Sequence, residues 1–156
     1  MFKGLLASFV LLGLCVIIHS GGLALILRQM RLHPPARTSR PWKVALTIVQ
    51  IAWKLTSLHL FQIVLWAAYF RIQGCLPDFE TALYFSGVSY STLGYGDVVL
   101  PREWRMLGPA EGLTGILMCG LSTAIFFAIA HGLLRARVRA FSVGKKHGKH
   151  APPDSE

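Results

Sequence analysis

Six consecutive residues, Thr92-Leu93-Gly94-Tyr95-Gly96-Asp97, are the stretch of this chain best suited to bind something. Two glycines alternate with bulkier residues, and Gly94 and Gly96 can take up the positive φ that ordinary residues resist. Such a backbone lets successive carbonyls turn toward one axis. Left unpaired in a membrane they would be costly, but a dehydrated cation would satisfy them. Thr92 adds a hydroxyl at one end of the row. Tyr95 is expected to point away from the axis and brace it. Asp97 stands at the other end, where a carboxylate draws cations in.

The residues before this stretch are suited to aim it. Asp78 follows Pro77 and makes a good helix N-cap, and Glu80 adds an acid in the first turn. A helix of about three turns is predicted over 78–91. Its partially negative C-terminal end would face the carbonyl row and favour a cation there.

The rest of the chain must hold these pieces in a bilayer. Of 156 residues, 53% are hydrophobic and 15% charged, and the mean hydropathy is +0.51. That excludes intrinsic disorder for most of the length. With 3 Cys, widely spaced, a disulfide-stapled secreted domain is excluded as well. About 20 helical residues cross a bilayer core, and three segments are long enough: 4–27, 44–70 and 112–134. The stretch 79–93 is too short to cross but long enough to enter and return. The expected fold is all-α and integral to the membrane, with three spans and one re-entrant helix and loop. The segments are an N-terminal span (1–27), a linker (28–43), a pore unit (44–134) and a basic tail (135–156).

The formal charge is +9. In a soluble protein this would suggest nucleic acid. Here the basic residues flank apolar runs, so they suit a membrane surface and not a nucleic acid. Arg28, Arg31, Arg37, Arg40 and Lys43 follow the first span. Arg135, Arg137, Arg139, Lys145, Lys146 and Lys149 follow the third. Segment 71–111 instead balances Arg71, Arg102 and Arg105 against Asp78, Glu80, Asp97, Glu103 and Glu111. The first connector and the tail are therefore expected in the cytoplasm, with the N-terminus and 71–111 outside. Ser20 to Ala24 offers small residues for signal cleavage. Cleavage would invert that charge asymmetry, so a retained span is expected. Trp42, Trp66 and Trp104 suit interfacial anchors. The prolines of 33–41 mark a linker, and the tail from about Ser142 reads as disordered.

Taken together, the Ser91-Thr92-Leu93-Gly94-Tyr95-Gly96-Asp97 loop, the short helix before it and the spans on both sides resemble the pore module of tetrameric potassium channels. The resemblance covers residues 44–134. It implies passive, selective potassium conduction by a homotetramer, one chain plus three further copies. Potassium would sit on the backbone carbonyls of Thr92, Leu93, Gly94 and Tyr95 and on the Thr92 hydroxyl, with Gly96 closing the filter (92–97) and Asp97 at the outer mouth. Span 44–70 would be the outer helix, 78–91 the pore helix and 112–134 the inner helix, with Gly120 near the depth where inner helices bend. Leu93 departs from the commoner Val or Ile. Val88 stands where some members place a Glu paired to the acid after the filter, so that pairing is absent. No voltage-sensing helix is visible. A poorly selective cation channel and a non-conducting regulatory subunit are the alternatives. Small size and the lack of an appended domain suggest a prokaryotic inner membrane. No catalytic constellation and no organic cofactor site is visible, and permeant potassium is the only ligand implied.

Other residues have blander readings. Thr47, Gln50, Lys54 and Ser57 share one helix face, expected at the cytoplasmic interface with Lys54 snorkelling. His131 near the inner-helix end is a candidate pH sensor, against the plainer reading of a solvated helix-end imidazole. His19 is a further titratable group in span one, and His59 is left without an assigned role. His147 and His150 read as part of a solvated tail. Cys75 is expected as an exposed thiol, and Cys15 and Cys119 as membrane-buried small residues. The basic tail is expected to meet anionic lipid.

Overall fold

Long apolar stretches free of proline have one way to satisfy their backbone inside a bilayer, which is the α-helix. The computed structural model describes residues 2–32 and 41–147, and these form α1 (Phe2–Leu32), α2 (Pro41–Ile72), α3 (Phe79–Tyr90) and α4 (Leu107–His147). Three helical stretches are long and apolar enough to cross a membrane: Lys3–Leu32, Trp42–Ile72 and Leu107–Arg135. The protein is an all-helical membrane protein.

Each long helix outruns its apolar run. Pro41 opens α2, because the first turn of a helix has no intrahelical partner for its N–H groups and a missing N–H there costs nothing. The same reason lets α4 begin at Leu107, ahead of Pro109, where a start at 112 was expected. At its other end α4 continues to His147. Its residues 135–147 were expected as tail, but Arg, Lys and Ala are good helix formers. Most of the proline linker, 33–40, lies outside the described residues, as do 148–156 of the tail.

The short helix α3 lies between α2 and α4, and α1 packs against both α4 and α2. At the loop end, Trp66, Ala67 and Phe70 of α2 meet Ala82 and Phe85 of α3, Leu107 of α4, and Leu11 and Cys15 of α1. The Phe70 and Phe85 rings meet edge to face with centroids 5.3 Å apart. A second cluster at the far end joins Leu23 and Ile26 of α1 to Ile51 and Leu55 of α2 and Ile129 of α4. Lipid is as apolar as leucine, so close approach and polar contacts supply much of what holds such helices together. The α3–α4 crossing is made by glycine. A Cβ at Gly112 would meet the Ser89 carbonyl oxygen at 3.3 Å, and one at Gly115 would overlap the Tyr90 carbonyl.

Some expectations are corrected here. Trp66 is fully buried, so it is a core residue and not an interfacial anchor. Its place on α2 faces α1 and α3, not lipid. Cys75 is 6% exposed and so is not a free surface thiol. Its N–H bonds the Phe70 carbonyl at 2.9 Å, which folds the turn after α2 back onto the core. Burial and the nearby Glu103 charge push its thiol pKa up. Glu111 was counted with the outside-facing acids, but it is fully buried within α4.

Candidate functional site

The 92–97 loop starts from the C-terminal end of α3. Asp78 caps the other end of that helix, with Oδ1 accepting the Thr81 N–H at 2.8 Å and Oδ2 accepting the Thr81 hydroxyl at 2.9 Å. Those two bonds hold the Asp78 carboxyl below its ordinary pKa. Twelve residues of helix then set its negative end against the loop.

Chain direction reverses through three backbone bonds. The N–H groups of Thr92, Leu93 and Gly94 turn back onto the carbonyls of Ser89 and Val88, at 3.0, 3.0 and 3.4 Å. Beyond this point φ alternates in sign. It is positive at Thr92 (62°), Gly94 (58°) and Gly96 (77°), and not at Leu93 or Tyr95. Alternating handedness of this kind sets successive N–H groups on one side of the chain and carbonyls on the other. Among the described residues, none of the carbonyls of 92–96 accepts a hydrogen bond. Thr92, a β-branched residue at positive φ, carries strain of roughly 1–2 kcal/mol. Leu93 and Tyr95 are 59% and 66% exposed in the single chain, so Tyr95 is not packed into a brace among the described residues.

Asp97 has a partner that sequence reasoning missed. The Tyr84 hydroxyl, on α3, donates to Asp97 Oδ2 at 2.6 Å. This bond holds the Asp97 carboxyl below its ordinary pKa and raises that of Tyr84. With Val88 unable to pair with it, Asp97 is held instead by a tyrosine one helical turn earlier on α3. Behind α3, the Ser86 hydroxyl lies within hydrogen-bond reach of the Ile63 carbonyl at 2.8 Å, and it also contacts Glu111 Oε1. Among the described residues, Glu111 Oε2 and Trp66 Nε1 are buried without a hydrogen-bond partner.

The structure brings His19 and His59 together with polar residues not singled out above, and leaves His131 apart. His19, His59, Gln62, Tyr90 and Ser122 form one hydrogen-bonded group from all four helices. The signal for it was present, because a single polar residue inside a membrane helix needs a partner. On the Lys54 face, expected at the cytoplasmic interface, the lysine reaches α1. Lys54 Nζ donates to Gln29 Oε1 at 2.6 Å, and Thr47 and Ser57 bond back to their own helix. His131 stands apart from the group, stacked on Phe127 with centroids 5.6 Å apart. Gly120 and Cys119 lie on an uncovered face of α4, with Leu113, Ile116, Leu117, Leu121 and Phe127 also exposed there. Between this helix, α3 and the loop runs a groove of about 820 Å³, with Tyr84, Val88, Thr92, Gly96, Leu113 and Ile116 among its walls.

No curated protein and no solved structure matches the chain. An ion channel family model does match, over residues 45–131, which takes in most of α2, α3, the loop and most of α4. On that match, which spans more than half of the sequence, the chain belongs to the ion channel family.

Proposed function

We propose that this ion channel conducts potassium selectively through a filter formed by the 92–97 loops of four chains. The observation that carries the reading is the run of alternating φ from Thr92 to Gly96, whose carbonyls accept no bond from the described residues. Carbonyls of Thr92, Leu93, Gly94 and Tyr95, with the Thr92 hydroxyl, replace the hydration shell of the ion, and repulsion between neighbouring ions speeds exit. Four α3 helices then direct their negative ends at one cavity, and Asp97 collects cations at the mouth.

Tetramer formation is supported by what one chain leaves open. The apolar face of α4 and the groove beside the loop fit a second copy, and a single loop cannot surround an ion. In the proposed orientation the N-terminus and loop lie outside, and the basic end of α4 lies in the cytoplasm against anionic lipid. Gly120, with no neighbour within 4 Å of a Cβ placed there, is free to act as the bend.

The test is the reversal potential of the full chain in liposomes under a potassium/sodium gradient, beside Gly94→Ala. A reversal near the potassium potential, lost in the variant, is expected, because alanine at φ +58° costs roughly 1–2 kcal/mol and turns the carbonyl row. Current without potassium preference would move the reading to a poorly selective cation channel. Silence together with a mass below that of a tetramer would move it to a regulatory subunit.

A further inference from the structure

At the foot of α3, Gln62 Nε2 lies 3.1 Å from the Cys15 carbonyl and 3.1 Å from His19 Nδ1. His19 Nε2 lies 2.9 Å from Ser122 Oγ, which lies 3.1 Å from His59 Nε2. His59 Nδ1 lies 2.9 Å from the Tyr90 hydroxyl, and that hydroxyl lies 2.5 Å from Gln62 Oε1. The path closes on itself. Gln62, His19 and Ser122 are buried, and the two imidazoles sit 5.1 Å apart.

Counting hydrogens assigns every donor. A backbone carbonyl can only accept, so Cys15 fixes the amide nitrogen of Gln62 on its side and the amide oxygen toward Tyr90. Tyr90 has one hydrogen and gives it to that oxygen. It must therefore accept from His59, which carries its hydrogen on Nδ1. The second hydrogen of Gln62 goes to a bare Nδ1 of His19, so His19 carries its own on Nε2 and gives it to Ser122. Ser122 then gives its hydrogen to the bare Nε2 of His59. Each hydrogen is used once, all in one rotational sense, with both imidazoles neutral. An added proton on His19 would face the Gln62 amide, and one on His59 would leave the Ser122 hydrogen without an acceptor in the ring.

Tyr90 ends α3, and Thr92 opens the loop. We propose that this five-member ring positions the entrance to the 92–97 loop, so that His19 makes the N-terminal helix part of the conduction apparatus. The positioning role rests on the potassium-filter reading above, whereas the ring's proton arrangement does not. His19, His59, Gln62 and Ser122 are positioning residues that act through Tyr90.

Two measurements on the full chain in liposomes test this. Solid-state nitrogen NMR of labelled histidine near neutral pH is expected to show opposite neutral tautomers, Nε2–H for His19 and Nδ1–H for His59. The His19→Gln variant identifies the His19 signals by their loss. Matching tautomers, or a doubly protonated ring at either position, overturns the ring. In the reversal-potential assay, His19→Phe is expected to lower the potassium-to-sodium permeability ratio about tenfold, the effect of one buried hydrogen bond. His19→Gln, whose amide can both accept from Gln62 and donate to Ser122, is expected to stay near wild type. If His19→Phe does not assemble, Ser122→Ala removes the same link with little change of volume and is expected to show the same fall. Equal ratios in wild type and the breaking variant, or a fall in His19→Gln as deep as in His19→Phe, overturn the positioning role. A wild type without potassium preference removes the filter reading and the positioning role with it, and the tautomers still decide the ring.

Discussion

Two neighbouring polar regions meet at the end of α3 and handle their hydrogen bonds in opposite ways. Around Ser122, side chains from α1, α2, α3 and α4 pair off until no ring hydrogen is spare. In the loop that follows, the carbonyls of 92–96 accept nothing from the described residues. A membrane penalises unpaired polar groups, so a complete set reads as scaffold and an incomplete one as a place for a ligand. The contrast also separates two kinds of specification. The ring depends on side-chain identity at single positions, and the loop on backbone handedness at alternate ones.

The sharpest way to break the contrast is at the seam both regions share. Gly115→Ala drives a Cβ into the Tyr90 carbonyl, a backbone group that cannot swing aside. Overpacking of this kind costs about 1–3 kcal/mol or more. A clear fall in the thermal midpoint of the detergent-purified protein is expected, along with loss of conduction; an unchanged midpoint would mean that α4 does not approach α3 this closely. Gln62→Leu strikes the ring first. It removes the donor to His19 and Cys15 and the acceptor for Tyr90. A loss of about 1–2 kcal/mol is expected, since intramembrane hydrogen bonds are individually modest. Ser57→Ala on the exposed face of α2 serves as the control that leaves the midpoint alone.

The smallest effect sharpens the loop side. Tyr84 holds the Asp97 carboxyl below its ordinary value of 3.8. A carboxylate so depressed stays ionised, and keeps its stabilising bond, at every pH above the ordinary value, and it loses both only as pH falls through the lower folded value. Tyr84→Phe returns Asp97 toward the ordinary value. In an external acid titration of the current, the variant is expected to lose conductance at a higher pH than wild type. Superimposable titrations would show that the Tyr84 hydroxyl does not set the charge at Asp97.

Much of this was readable from residue order. Apolar runs announced the three spans, Pro77-Asp78 announced the start of α3, and the alternating glycines announced where φ turns positive. Positive φ at Thr92 was not readable, because no local signal asks a threonine to adopt it. Helix ends were misplaced where a rule of thumb conflicted with a finer one. The start of α4 was expected at 112, where the uncharged run begins, although Pro109 in the first turn breaks no bond and the helix opens at Leu107. Glu111 was read by its charge, and its burial depends on Ser86 approaching from another helix. The ring was legible only as a set of polar residues in need of partners. Which of them meet is decided by helix crossings, and those depend on glycines at Gly112 and Gly115 that sequence periodicity does not place in space.

One detail of the ring has a consequence for disorder. A closed cycle of hydrogen bonds can run in two senses of rotation, and a cycle of like groups, as in ice, keeps a residual entropy by sampling both. Here the Cys15 carbonyl stands outside the cycle and touches one member. Reversal would turn the Gln62 oxygen against it, so the degeneracy is lifted and one sense survives. A cycle with a single sense has no second state to relay a proton into, so the proposed ring would not pass protons along the helices it joins.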